Sequence, residues 1–273
     1  MNILFLGTAA AEGIPTPFCT CPTCTHARKA GGRNVRMRTS ALLNDDLLID
    51  CGPDLFAAAQ RFGVQLDGLE TLLVTHSHGD HWQPDNLTFR HPDFCPTPLA
   101  PLRVFGPGPV TRTLRASRHW DELAEKGAMS VQTVRAGQRF RSGRYQVTAL
   151  PANHAGDQAA LLYIIDDGAR KLFYATDTGP LSERAWRIVA REAPFDAVLM
   201  DETVGHHRYR EHQGLESFLR DRGRFVDEGW LAEGARFVAF HFSHQSNPPH
   251  DELVDTFAPH GVIVAYDGME MEI

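Results

Sequence analysis

The sequence predicts an α/β fold in which sheets pack together and helices lie outside them. Short apolar runs bounded by Gly, Pro and Asp recur along the chain, strand pairs come first, and runs of helical period stand between the later strands. The strand-like runs are Asn2–Leu6, Ala41–Leu43, Leu47–Asp50, Leu72–Thr75, Leu102–Phe105, Tyr145–Leu150, Leu161–Ile165, Leu172–Ala175, Ala197–Met200, Phe237–Phe240 and Val262–Ala265. One hairpin turns at Asn44-Asp45-Asp46. Another spans Asp166–Lys171, where Asp167-Gly168 supplies a turn dipeptide. Helical period is clearest in Arg112–Glu125, Glu183–Ala193, Gln213–Arg222 and Asp251–Phe257. Ser182, after Pro180-Leu181, suits the capped start of the second of these.

The 273 residues fit one large α/β domain, and no internal repeat or low-complexity linker divides them. The Pro-rich stretch His91–Pro109 reads as an excursion over the surface, too short to separate two domains. A single domain over residues 1–273 is therefore expected. Hydrophobic residues at 42% and charged residues at 22% exclude wholesale disorder. A net charge of −7 without a basic block argues against binding nucleic acid through general electrostatics. No apolar stretch reaches the ~20 residues of a membrane-spanning helix. The start, MNILFLG, lacks a basic n-region and its apolar run breaks at Gly7, unlike a signal peptide. The expected location is the cytoplasm. Five cysteines is an odd number, and the crowding of Cys19, Cys21 and Cys24 in a reducing compartment reads as metal binding before disulfide.

Fourteen histidines are the informative excess. Residues 72–82, LLVTHSHGDHW, place His76, His78, Asp80 and His81 directly after an apolar strand. A turn at the end of a buried strand can aim several side chains inward at the sheet rim. Four potential ligands in six residues exceed what one tetrahedral ion takes from a single loop, so two neighbouring ions suit the pattern better. Imidazole and carboxylate donors accommodate Zn²⁺, Mn²⁺ or Fe²⁺.

The H-x-H-x-D-H pattern of His76–His81 resembles the signature of the metallo-β-lactamase superfamily. The resemblance implies a four-layer αββα sandwich with a dinuclear site at the sheet edge. It also implies three later ligands at strand ends. The matching positions are His154 after Leu150-Pro151-Ala152-Asn153, Asp177 after Leu172–Thr176, and His241 after Phe237–Phe240. By the resemblance His76, His78 and His154 hold one ion, Asp80, His81 and His241 the other, and Asp177 bridges them. The two ions, Mn²⁺ or Zn²⁺, would lower the pKa of a shared water and neutralise charge on a substrate oxygen. The intact pattern argues for hydrolysis and against the redox branch of the superfamily.

Cys19-Thr20-Cys21-Pro22-Thr23-Cys24 gives C-x-C-x-x-C, and closed structural zinc sites take four ligands. His26 and His244 are the candidates for the fourth. One subfamily, the PhnP-type cyclic phosphate phosphodiesterases that accompany carbon–phosphorus lyase, carries C-x-C-x-x-C early and H-x-x-H-Q late. His241 to Gln245 matches the second motif. The resemblance implies one structural Zn²⁺ on Cys19, Cys21, Cys24 and His244, in an N-terminal zinc-binding loop at 19–24. That ion would pin the N-terminal segment to the loop supplying His241. Further matches at Leu6-Gly7-Thr8, Arg38-Thr39-Ser40-Ala41, Asp50-Cys51-Gly52 and Tyr266-Asp267-Gly268-Met269-Glu270 extend the resemblance over nearly the whole chain.

The segment Met200–His212 carries His206, His207, His212, Arg208 and Arg210. The subfamily has here, shortly before a helix, a histidine that reaches the substrate phosphate; His212 is the match, with Asp201 as its acidic partner. His206-His207-Arg208-Tyr209 has no counterpart, and His206 and His207 read as a solvated loop. The catalytic candidates are His212, Asp201 and Asp80, the last also a metal ligand. The expected function is hydrolysis of a small cyclic or sugar-linked phosphodiester by a metal-bridging hydroxide, with His212 assisting the leaving oxygen. The alternative is an ester, thioester or lactone hydrolase using the same metals, and the third choice a metal-dependent carrier without turnover. Nucleases with a large extra domain are longer, and the transfer-RNA processing branch adds an arm and a basic surface. A non-catalytic relative in quinone-cofactor biosynthesis shares the cysteine cluster but loses ligands in the first motif. The expected partner is a small-molecule phosphodiester, without nucleic acid or membrane, and with a homodimer left open.

Overall fold

The computed structural model describes residues 1–273. One sheet holds β1 (Asn2–Gly7), β2 (Ser40–Leu43), β3 (Leu47–Ile49), β4 (Thr71–Leu73), β5 (Leu102–Gly106), β6 (Met129–Thr133) and β14 (Glu270–Glu272), in the order β14-β1-β2-β3-β4-β5-β6. The other holds β7 (Arg139–Ser142), β8 (Tyr145–Pro151), β9 (Leu161–Asp166), β10 (Lys171–Ala175), β11 (Phe195–Asp201), β12 (Leu231–Phe240) and β13 (Val262–Val264), in the order β13-β12-β11-β10-β9-β8-β7. Both sheets follow one plan, antiparallel neighbours giving way to parallel ones. Hairpin turns build the antiparallel part, at Asn44–Asp46 and across Asp167-Gly168 as the sequence predicts. Parallel pairing needs a crossover, and helices supply it. These are α2 (Leu55–Phe62) between β3 and β4, α5 (Glu183–Glu192) between β10 and β11, α6 (Leu215–Asp227) between β11 and β12, and α7 (His250–Phe257) between β12 and β13. Ser182 caps α5 by accepting the amide of Ala185 at 3.2 Å.

Strand alternation decides which face meets which layer. In β1–β4, Ile3, Phe5, Ala41, Leu43, Leu47, Ile49 and Leu73 join the large core shared with the second sheet. Their neighbours Leu6, Leu42, Leu48 and Leu72 join a smaller core with α2, α3 (Gly108–Arg115) and α4 (Trp120–Glu125). Strands β10 and β11 are buried on both faces, because α5, α6 and α7 cover the outside with Trp186, Val189, Phe218, Phe225, Leu253 and Phe257. Two facing sheets with helices outside give the four-layer αββα arrangement.

The expected helix Arg112–Glu125 is two helices. The first starts at Gly108 and ends at Arg115, and the second starts at Trp120 after His119, whose φ of 63° breaks helical geometry. The excursion expected over His91–Pro109 ends where β5 begins at Leu102. No helix is long and apolar enough to cross a membrane.

Candidate metal centre

The candidate ligands converge because their strands end at one common edge. β4 leads to His76, β8 to His154, β10 to Asp177, β11 ends at Asp201, and β12 leads to His241. The Nδ1 of His78 lies 3.0 Å from the Nε2 of His76 and 3.2 Å from the Nε2 of His154. Beside this trio, the Nε2 of His81 lies 3.1 Å from Asp80 and 3.2 Å from the Oδ1 of Asp177, and the Nε2 of His241 lies 3.0 Å from the same Oδ1. The other oxygen of Asp177, Oδ2, faces the first trio, 3.8 Å from His76 and 3.7 Å from His154. One carboxylate thus serves two donor groups.

The outward ring nitrogens fix which way the lone pairs point. Nδ1 of His76 pairs with Thr75 Oγ1 at 3.0 Å, Nδ1 of His81 with Asp50 at 2.7 Å, Nδ1 of His154 with the carbonyl of Glu211 at 3.1 Å, and Nδ1 of His241 with Thr203 Oγ1 at 2.8 Å. Each acceptor holds the proton on Nδ1 and leaves Nε2 as an inward lone pair, the arrangement metal-bound imidazoles take from their outer partners. The Nε2 atoms of His81 and His241 are buried and make no hydrogen bond despite the nearby carboxylates. Their shared neighbour is the Oδ1 of Asp177, and five imidazoles and two carboxylates gathered this closely are a donor set that fits divalent cations.

The electrostatics agree. Burial, with the neighbouring histidines, pushes the pKa of His76 and His78 down, and burial outweighs Asp177 and Asp201 to lower His241, so all three favour the neutral form. For His81 burial is outweighed by Asp177, Asp80 and Asp50, which raise it well above the usual range. Burial opposes ionisation of Asp177 too, but His241 and His81 hold it well below the ordinary carboxylate range. With Asp50 on one side of the ring and Asp80 and Asp177 on the other, a second proton or a cation at Nε2 offsets their charge.

His212 stands beside this group, its ring 4.7 Å from His154 and 5.6 Å from His241, centroid to centroid. Its Nδ1 donates to the buried Asp201 at 2.9 Å. Burial disfavours its charged form, but the charge and hydrogen bond of Asp201 prevail and raise its pKa to about 9. Asp201 also accepts from Thr203 Oγ1 at 2.7 Å, and from the amides of Thr178, Thr203 and Gln213. The pair is therefore held rigidly. His206 and His207 are exposed and stand outside the cavity that His212 shares with His78, Asp80, His154, Asp177 and His241.

The thiols of Cys19, Cys21 and Cys24 gather with His244, whose Nδ1 lies 3.4 Å from the Cys21 sulfur; His26 is exposed on α1 (Pro22–Ala30). Cys21 caps that helix by accepting the amide of Cys24. Burial resists ionisation of Cys21, but this amide and His244 bring its pKa down to about 7. Cys21→Ala is expected to lower the melting temperature by roughly 5–10 °C, the scale of losing a few kcal/mol from a chain of this size. Activity should fall as a consequence, because His241 and His244 share a loop. A variant that melts like the parent and keeps its full metal content would refute the structural assignment.

The folded chain gives several residues roles that their sequence context does not state. Asp50 sits in the left-handed region at φ 61°, and its carboxylate takes His81, the amide of Thr75 and the Thr75 hydroxyl. His241 sits there also, at φ 66°. Such conformations cost on the order of 1–3 kcal/mol and persist where the surroundings impose them. Glu12 accepts from Ser243 and lies 3.6 Å from the Nε2 of His244, linking the cysteine cluster to the wall of the reaction cavity. Gly52 lies so near the first motif that a Cβ would stand 2.0 Å from the carbonyl of Asp80. Gly52→Ala must push that loop away, and Asp80 and His81 with it. It is expected to lose divalent ions and at least ~100-fold in turnover, the penalty of a ligand displaced by about 1 Å. Parental metal content in this variant would contradict that.

A family model described as the beta-lactamase superfamily domain matches residues 46–242, from β3 through His241. Coenzyme PQQ synthesis protein B of Methylobacterium radiotolerans is 27% identical over the full length of both chains. The crystal structure of Zn²⁺-bound PqqB from Methylobacterium extorquens superposes with a TM-score of 0.73 at 20% identity, covering all of both chains. A diphosphatase from the PhnP family superposes with a TM-score of 0.76 at 19% identity, covering all of this chain and 97% of that one. These two likenesses are likenesses of fold. With the family model matched over well over half its length, and its strands ending on a common edge lined with His and Asp, the chain belongs to the metallo-β-lactamase superfamily of metal-dependent hydrolases.

Proposed function

We propose that the protein is a dinuclear-metal phosphodiesterase acting on a small cyclic or sugar-linked phosphodiester. The observation that carries this reading is the Asp201–His212 pair, which opens on the same cavity of about 480 Å³ as His78, Asp80, His154, Asp177 and His241. His76, His78 and His154 would hold one divalent ion, Asp80, His81 and His241 the second, and Asp177 both; Cys19, Cys21, Cys24 and His244 would hold a structural zinc. When bound, two such ions supply an activated water and offset charge on the oxygens of the reacting phosphorus.

The rest falls to the chain's own groups. Asp201 fixes His212 with its proton on Nδ1, which turns the Nε2 edge toward the cavity that the ring lines. From there His212 can bind a phosphoryl oxygen and deliver a proton to the departing alkoxide. Asp50, Thr75 and Thr203 keep the inner imidazoles aimed. The fold shared with a PhnP-family diphosphatase supports a phosphorus ester as substrate.

A second reading, a part in coenzyme PQQ synthesis, is favoured by the 27% identity to that family over whole chains. The complete set of seven donors with an added acid pair supports turnover instead. A panel separates them: bis(p-nitrophenyl) phosphate, p-nitrophenyl phosphate, a thioester, a lactone and a cephalosporin, each with Mn²⁺- or Zn²⁺-loaded protein. The diester is expected to be the preferred substrate. Preference for the thioester or lactone moves the protein to carboxyl-ester chemistry, and turnover of none favours the biosynthetic reading.

A further inference from the structure

Beside the reaction cavity lies a second one of about 240 Å³, lined by Pro180, His206, His207, Arg208, Tyr209 and Arg220 among others. Tyr209 lines both cavities. Tyr209 as a residue is 57% exposed, yet its ring stacks on His212, 6.0 Å between centroids and 17° between planes. His212 stacks in turn on His241, and His241 on His81, so a column of rings runs from the candidate metal centre to the second cavity.

The loop that presents Tyr209 is clamped. A Cβ on Gly179 would stand 2.0 Å from the carbonyl of Arg210, one on Gly205 2.2 Å from that of Ser246, and one on Gly214 2.3 Å from that of His207. Asn153 donates to the carbonyl of Arg210 and His154 to that of Glu211. An exposed aromatic ring on so fixed a support is a ready surface for a planar partner. The charged groups lining the cavity are Arg208, Arg220 and Glu216. Arg208 pairs with Glu216 at 2.7 Å and Arg220 with Asp221 at 3.4 Å; both guanidinium groups are exposed, and pairs of this kind are weak enough for a ligand anion to compete.

We propose that this second cavity is the subsite for the leaving portion of the substrate, with a planar ring against Tyr209 and an anionic end reaching Arg208 and Arg220. The inference rests on the phosphodiesterase reading and narrows it to diesters whose leaving portion carries a planar ring and a second negative charge. His212, beneath Tyr209, would then face the oxygen joining that portion to phosphorus.

The test uses methyl phosphate, phenyl phosphate and 4-carboxyphenyl phosphate as competitors of bis(p-nitrophenyl) phosphate on the metal-loaded protein. Phenyl phosphate is expected to bind about 3–10-fold more tightly than methyl phosphate. The carboxylate should add about 2–5-fold. Tyr209→Ala should abolish the first gain and Tyr209→Phe preserve it, while Arg208→Ala with Arg220→Ala abolishes only the second. Equal affinities for methyl and phenyl phosphate, or a ring preference that survives Tyr209→Ala, would overturn the proposal. Should no diester be hydrolysed, calorimetry with the same three ligands reads the subsite independently. A ring preference lost in Tyr209→Ala then upholds the subsite although the reaction class has failed, and no ring preference overturns both.

Discussion

Replacing Asp177 with Ala is expected to reduce diester turnover on the order of 10⁴-fold, the scale reached when one member of a unit that acts together is removed. The chain should remain folded, since the deletion touches the cavity wall and leaves both cores intact. Its Oδ1 faces the imidazoles of His81 and His241 and its Oδ2 those of His76 and His154, so no neighbour can replace it. Without it the two donor groups lose their common member, and elemental analysis should find fewer than two ions in the His/Asp set. Turnover close to the parent's with both ions bound would show that the two groups do not need the bridge.

His212→Ala should act selectively. An alkyl or sugar leaving group departs as a poor alkoxide and needs a proton, and general acids contribute ~10²–10⁴-fold to such steps. Nitrophenolate departs without one. The variant should therefore lose on the order of 10²–10⁴ on an alkyl diester and far less on an activated aryl diester, with the ratio of kcat values as readout. Equal losses on both substrates would retire the acid role and leave phosphate binding, since uniform binding does not select a leaving group. No loss on any phosphodiester would remove the main residue-level reason for preferring this substrate class over esters and lactones.

Much of this architecture is legible in the sequence, for physical reasons that also mark where legibility ends. Strands buried on both faces, such as Leu172–Ala175 and Ala197–Met200, read as unbroken apolar runs. Strands Met129–Thr133, Arg139–Ser142 and Glu270–Glu272 lie at sheet edges, where polar residues alternate with apolar ones or replace them and leave no unbroken apolar run. The helix Pro22–Ala30 has only Cys24 and Ala27 buried, too few for a periodic signal. Among site residues, His76, His78, Asp80 and His81 announce themselves by crowding. His154, Asp177 and His241 are single residues at strand ends and gain meaning only from the superfamily pattern. Asp50, Thr75, Thr203 and Glu12 act on other side chains, through bonds that only the folded chain creates.

The most direct measurement is a metal titration read by elemental analysis and diester hydrolysis together. Mild chelation should strip the His/Asp set and leave one zinc on the cysteines, because a closed four-ligand site offers no open position for attack. On adding back Mn²⁺ or Zn²⁺, turnover of bis(p-nitrophenyl) phosphate should rise only as the second and third ions per chain bind. Full turnover with a single ion in the His/Asp set, or none with every site filled, would contradict a dinuclear phosphodiesterase.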